Sequence, residues 1–432
     1  MKLPGKLNKQ KKVNIEDYYG INVGSMWQGL KKESAAFWWI CIYLFFEYVR
    51  PQSLYPAIGF LPWAQISLIL ALITAFSDQS VKWVRSKGNI LFLSFYIIVI
   101  LSGIFAFKPS YAWDKIDIII NWIIFYFLIV TVVNTEKRLL IFILLFLLVN
   151  FKMSQHGFTS FAMRGFTYTR WGVAGTPGWF SNAGDFGIGL VIFIPLAVAF
   201  MLALRNYWGR YKKLFFYAMP FTGLVALVGT SSRGAQLGLV GIGVYFLLRS
   251  RQKIKMTIVI IVVGFLLYTI IPDKMKDEYR SAGNDSTSQD RLEHWRFGME
   301  VVQDKPVLGI GYANWLVYCN YKHPYGIGTI ARCHVPHNTY VSVASETGVF
   351  GFFIYVLMIV FVFVKNARTR ANAKQYGNKF ILYVAHGLDA GLVGYVISSI
   401  FFTVLFYPFF WVQLAITVAL HEISKKQLDL SA

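Results

Sequence analysis

Acidic side chains are scarce in this chain: 21 Asp and Glu among 432 residues, against 42 Lys and Arg. Charge of either sign makes up only 15% of the sequence, while 56% is hydrophobic and 18% aromatic. So few charges cannot cover a water-soluble protein of this length, which excludes the soluble classes and predicts a polytopic membrane protein. Cysteine is nearly missing too, with three residues. Cys41 lies in an apolar run as a packed small hydrophobe. Cys319 and Cys333 share one polar segment, and their spacing permits a disulfide if that segment faces an oxidising compartment. No secretory leader is expected, because 1–33 is polar and lysine-dotted, without an apolar core or a small-residue cleavage site. Internal repeats and low-complexity linkers are also lacking, so a single membrane domain with an outer cap is the simplest architecture.

What the chain does have is a series of apolar runs. Spans are expected at 35–48, 57–76, 89–107, 116–133, 139–151, 186–204, 214–229, 235–248, 256–271, 348–364, 380–403 and 404–420, about twelve helices in all. The basic excess sorts with them. With Met1 on the cytoplasmic side, the segments 1–34, 78–88, 134–138, 205–213, 249–255, 365–379 and 422–432 lie inside and hold 27 of the 42 Lys and Arg. The short outer turns hold only Arg50, Lys108, Lys115 and Arg233. This is the positive-inside pattern, and it accounts for a net charge of +21 without nucleic acid. The expected division is a cytoplasmic tail at 1–34, helices across 35–271 with an outer loop at 152–185, a large outer loop at 272–347, helices across 348–421, and a tail at 422–432.

Positive charge is not needed for topology on the outer face, so the arginines left there (Arg50, Arg164, Arg170, Arg233, Arg280, Arg291, Arg296 and Arg332) invite another explanation. Arg233 sits in the tight turn Gly229-Thr230-Ser231-Ser232-Arg233-Gly234, where a guanidinium at a helix start opposes the dipole. It either meets an anion there or snorkels to fix the helix end. The run from Ser288 to Arg296 predicts an amphipathic helix, with Ser288 as cap and Leu292, Trp295, Met299 and Val302 as its apolar stripe. Arg291 near that N-terminus suits phosphate binding, or else a solvated face with Glu293 and Arg296 paired. Gly309-Ile310-Gly311 reads as a turn, since no strand precedes it and no third glycine follows. Gly178-Trp179-Phe180-Ser181-Asn182 either lines a cavity or simply enters a span.

Three of the seven histidines (His323, His334 and His337) close the 272–347 segment. Imidazole titrates near neutrality, so proton transfer is possible there. With Cys319 and Cys333 these residues admit a zinc reading, but the spacing is irregular and a disulfide is the simpler use of the sulfurs. His337 precedes a span and is followed by Asn338 and Tyr340, which sets it at the bilayer surface.

Taken in order, Ser232-Arg233-Gly234, Asp290-Arg291 with Trp295, Lys305-Pro306-Val307-Leu308-Gly309-Ile310-Gly311-Tyr312, His337-Asn338-Thr339-Tyr340 and Glu346-Thr347-Gly348-Val349-Phe350-Gly351 resemble the bacterial O-antigen ligase and polymerase family. Glu47-Tyr48-Val49-Arg50-Pro51-Gln52-Ser53-Leu54-Tyr55-Pro56 also resembles the O-glycosylation ligases that accompany exosortase systems. The resemblance implies an all-α, GT-C-like membrane glycosyltransferase of the inverting, metal-independent type, with no cofactor. Its partners would be membrane lipids, a glycan donor on undecaprenyl diphosphate at the periplasmic face of the bacterial inner membrane, and a lipid or glycan acceptor. Carried over by position, His337 is the base for the acceptor hydroxyl. Arg233, Arg291 and less securely Arg170 hold the diphosphate, with Asn338, Tyr340 and Arg296 in support. Two reactions are open: a ligase moving the glycan to an acceptor such as lipid A–core, or a polymerase joining repeat units. A transporter of lipid-linked sugars is the third reading, but it would bury charge at midplane, where only Asp117, His386 and Asp389 qualify.

Overall fold

The computed structural model describes residues 15–167, 172–280, 283, 285–327 and 332–431, and every regular element among them is helical. Two short helices, α1 (Ile15–Tyr19) and α2 (Val23–Leu30), precede the bundle. There follow α3 (Ala35–Val49), α4 (Pro51–Leu54), α5 (Trp63–Ser77), α6 (Lys87–Ile104), α7 (Pro109–Trp113), α8 (Ile116–Val132), α9 (Glu136–Met163) and α10 (Ala183–Leu204). After them come α11 (Arg210–Gly229), α12 (Arg233–Arg249) and α13 (Lys253–Thr269). The polar stretch folds as α14 (Asp273–Arg280), α15 (Ser286–Asp304) and α16 (Trp315–Lys322), and α17 (Thr339–Gln375), α18 (Lys379–Ser398) and α19 (Pro408–Ser431) close the chain.

Hydrocarbon offers the backbone no hydrogen bonds, so apolar runs of this kind must satisfy themselves as helices. Side-chain oxygens start many of them: Ser34, Ser86, Thr135, Asn182, Ser232, Asn338 and Asn378 each accept from a first-turn N–H. Seven helical stretches among the described residues are long and apolar enough to cross a membrane, at Pro56–Ser77, Lys87–Ile104, Pro109–Val132, Glu136–Met163, Ala183–Tyr207, Thr339–Gln375 and Lys379–Phe401. The chain is therefore an all-α polytopic membrane protein, with seven rather than twelve spans meeting that criterion. The five remaining expected spans fall on α3, α11, α12, α13 and α19.

Several expected boundaries move. The fifth span does not stop at 151, because α9 continues to Met163. Its polar second half is held by packing: Ser154 Oγ meets Thr222 Oγ1 at 2.9 Å, and Gly157 lies so close to Phe186 and Ala226 that only glycine fits. Both ends of the segment expected as a loop at 152–185 are thus helical, in α9 to Met163 and in α10 from Ala183. The segment expected as a basic loop at 365–379 is mostly the end of α17, where Asn366 and Arg370 both reach Asp389 of α18. The 272–347 loop is itself largely helical, and α17 begins at Thr339 rather than 348, with a break at Gly348 (φ 69°, ψ −173°).

At the centre of the bundle, α10 packs on α18, α11 and α12, and is buried along nearly its whole length. Glycines let α12 and α18 approach: a Cβ on Gly238 would lie 2.1 Å from Ser398 Oγ and 2.7 Å from the Gly394 carbonyl. The connections gather at two chemically different ends. At one end Lys137 and Arg138 bind Glu33 (both 2.6 Å), Asn134 reaches the Ser80 carbonyl (2.7 Å) and Lys212 the Gly20 carbonyl (2.8 Å). At the other end Val173 N–H donates to Gly229 O (2.8 Å), Phe107 N–H to Ile310 O (2.9 Å) and Thr339 Oγ1 to Phe402 O (2.6 Å). The basic loops lie at the first end and the candidate site at the second.

Candidate active site

The site begins where α12 begins. Ser231 in a left-handed conformation (φ 57°) and Ser232 as cap turn the chain so that Arg233 is the first residue of the helix. Its guanidinium makes a two-pronged contact with Asp285, Nη1 to Oδ2 at 3.1 Å and Nη2 to Oδ1 at 3.2 Å. Asp285 also caps α15 by accepting from Ser288 N–H (3.1 Å), so one carboxylate joins α12 to α15. Bonding from Arg233, then from Ser288, holds the Asp285 carboxyl well below the usual carboxylate range despite partial desolvation. The cap expected at Ser288 is thus three residues early, at Asp285. Ser288 instead donates its hydroxyl to that cap at 2.7 Å.

The buried face of α15 is His294, Phe297, Gly298 and Val301, not the expected stripe, and Leu292 and Met299 point outward. A histidine was not counted as a core residue, yet His294 is fully satisfied inside. Its Nδ1 lies 2.8 Å from the Asp290 carbonyl, and its Nε2 accepts the His334 N–H (3.1 Å), which fixes the proton on Nδ1. Phe297 meets Trp315 edge to face and stacks on Tyr318, and Gly298 lets Val341 of α17 come close.

From this core the segment before α17 is clamped. Trp315 Nε1–H donates to His334 O (2.7 Å), Trp295 Nε1–H to Pro336 O (2.9 Å), and Cys319 and Cys333 are joined by a disulfide. His337 follows in a left-handed conformation (φ 45°), and Asn338 then caps α17 by accepting from Tyr340 and Val341 N–H. The imidazole is thereby held beside Arg291. Burial, then the Arg291 charge, press its pKa down to about 4, so at neutral pH the ring is uncharged and free to accept a proton.

Arg291 stands out. Its Nε is buried without a partner, and it forms no ion pair among the described residues. Burial first, then the nearby Arg233 charge, lower its pKa from the ordinary arginine value. A desolvated guanidinium beside a second one, with Asp285 engaged by Arg233 and Asp290 near but not paired with it, has donors left for a further anionic oxygen.

A glycine joint supports this arrangement from behind. Gly309 (φ 66°) packs against the Ser345 carbonyl and Gly348 against that of Val307, each at 2.2 Å from a would-be Cβ. Ile310 N–H donates to Ser345 O and Val349 N–H to Pro306 O, both at 2.8 Å. The two motifs 305–312 and 346–351 are therefore one joint, and Glu346 completes it by accepting the Trp315 N–H (3.1 Å).

The structure thus brings Arg233, Arg291 and His337 together, with Asn338 as the cap beside them. Tyr340 is turned away, its hydroxyl donating to Val396 O (2.8 Å) and accepting from Ser399 (3.1 Å). Arg296 is exposed and pairs with Glu293 (2.7 Å). Arg280 pairs with Asp277 (3.1 Å), and His323 packs on Phe297. Arg170 lies outside the described residues. Sequence reasoning missed Asp285 and His294. An Asp three residues before a Ser is a cap signal, but nothing local marks a histidine as a core acceptor.

Residues 218–356 match the family model described as O-antigen ligase, and residues 21–175 match a family of unknown function. No curated protein matches the chain.

Proposed function

We propose that this chain, whose residues 218–356 match the O-antigen ligase family model, moves a glycan from undecaprenyl diphosphate to an acceptor hydroxyl. The observation that carries the reading is the buried Arg291 guanidinium, which forms no ion pair among the described residues, beside Arg233 and the neutral His337. A lipid-linked diphosphate supplies the missing negative charge. The acceptor oxygen attacks the anomeric carbon, its proton passes to the His337 imidazole, and the bond from that carbon to the diphosphate oxygen breaks with inversion. Negative charge grows on the leaving diphosphate, where fixed guanidiniums in a dry site stabilise it most, so the step is written without a metal ion. The bound diphosphate offsets the Arg291 field and raises the basicity of His337 as the donor arrives.

Sidedness follows the same logic. The Cys319–Cys333 disulfide suits an oxidising compartment and the basic loops at the opposite end suit the cytoplasm. This supports an active site on the periplasmic face of the bacterial inner membrane with both termini inside. We take the ligase reaction, transfer to an acceptor such as lipid A–core, as the function. The test is to reconstitute the protein in liposomes with an undecaprenyl-diphosphate glycan and offer lipid A–core and a second lipid-linked glycan as acceptors. Product on lipid A–core is expected. Product only on the second glycan would make the protein a polymerase, and no product on either would remove the reading.

A further inference from the structure

A second opening lies at the same end of the bundle, apart from His337. The end of α3, the start of α4, the first turns of α5 and α8 and the 172–182 segment enclose a cavity of about 290 Å³. Its polar lining comes from Glu47, Arg50, Gln52, Gln65, Asp117 and Asn121, and two indoles, Trp122 and Trp179, face it as well. In a membrane bundle such groups normally satisfy one another, because a buried unpaired polar group costs ~1–3 kcal/mol. Here they do not. The guanidinium of Arg50 lies over the Trp179 ring, 5.9 Å from its centroid, and its Nε is buried without a partner. Gln52 sends Nε2 to the Phe46 carbonyl (3.4 Å) and leaves Oε1 buried and unpaired. Asp117 and Asn121 lie one helical turn apart on α8 and turn the same face to the cavity. Gly178 (φ 91°) forms the floor under Arg50, where a Cβ would sit 2.0 Å from Nη1.

We propose that this cavity binds a neutral sugar ring. Planar amides, carboxylates and a guanidinium offer donors and acceptors to adjacent hydroxyls, while indole faces pack the apolar side of a pyranose. A lone guanidinium that shares its cavity with the acid groups of Glu47 and Asp117 disfavours phosphate, which separates this site from the Arg233–Arg291 pair. The volume falls at the small end of ligand cavities, roughly 300–1,000 Å³, enough for a short saccharide and too little for a lipid tail with its headgroup. The site is wired to the other one. Trp179 packs on Tyr407 (4.9 Å between centroids), and Trp122 Nε1–H donates to Phe406 O at 2.8 Å. The other end of that loop, Phe402 O, holds Thr339, two residues past His337. The reading stands on the cavity alone. It takes from the proposed transfer only the two sources of such a sugar, donor glycan and acceptor.

Purified protein in nanodiscs, titrated with the methyl glycosides of glucose, galactose and mannose and followed by saturation-transfer-difference NMR, is expected to bind at least one of them. Asn121→Leu and the rim variant Gln65→Leu should each weaken that binding tenfold or more, while Arg291→Ala and added inorganic pyrophosphate leave it unchanged. No binding of any of the three glycosides, or binding untouched by both leucine variants, overturns the proposal. In the transfer assay, a raised KM for the acceptor in Gln65→Leu assigns the cavity to the acceptor sugar, and a raised KM for the donor assigns it to the donor glycan. An unchanged KM for both overturns it. Should the wild type transfer nothing, the transferase reading falls while the glycoside result still decides this one.

Discussion

At the scale of single residues, the proposed site depends on an arginine that forms no ion pair among the described residues and a histidine kept neutral by burial first and by that arginine's charge second. A general base typically contributes 10²–10⁴-fold, so His337→Ala should lower kcat by about that factor in the liposome assay while the protein still inserts and folds. Arg291→Ala should lower transfer to a similar degree, and Arg291→Lys should restore little, since an ammonium lacks the planar fork. The pH dependence follows from the direction of the shift. With its pKa near 4 in the free protein, His337 is a competent base above that pH, so kcat/KM should fall on acidification only as pH approaches 4. The acid limb of kcat should lie higher, because the bound diphosphate raises the pKa. Removing the Arg291 charge should also raise it. Histidine modification by diethyl pyrocarbonate, which needs the neutral ring, is then expected to show its midpoint at higher pH in Arg291→Gln than in wild type. An unmoved midpoint would break the link between the two residues.

Among the helices, the Cys319–Cys333 bond and the glycine joint carry the cap. Closing a loop of 14 residues stabilises a fold by ~2–4 kcal/mol, so reduction or Cys333→Ser should speed hydrogen exchange across α16 and the segment before α17. The spans should stay protected. Gly348→Ala forces a side chain into the Val307 carbonyl at a left-handed position and should cost ~1–3 kcal/mol, read as a lower melting temperature. This is also the scale on which the sequence was least legible. Apolar runs located the seven stretches long and apolar enough to span, and the turn at Gly309-Ile310-Gly311 was recognisable from its glycines. The ends of α9 and α17 were not, because polar residues there stay helical by packing on neighbours that lie far off in the sequence. The face of α15 was misjudged for a related reason: a buried, doubly bonded His294 looks polar on paper and behaves as core. Residue types announced Arg233, Arg291 and His337; only three dimensions revealed that Asp285 restrains one arginine and leaves the other open.

The molecule as a whole is chemically polarised along the bundle. The basic connections and the site lie at opposite ends, so single cysteines placed at Arg332 and at Arg205 should differ in labelling by a membrane-impermeant maleimide on intact spheroplasts. Arg332→Cys should react and Arg205→Cys should not. The reverse pattern would put the site in the cytoplasm, out of reach of a periplasmic acceptor.

One consequence remains of the left-handed backbone at His337, held between Pro336 and the Asn338 cap. Glycine and asparagine occupy that conformation with less steric penalty than histidine, whose residence there costs ~1–3 kcal/mol. His337→Gly or His337→Asn should therefore give a protein that is inert as a catalyst yet more heat-resistant than its parent.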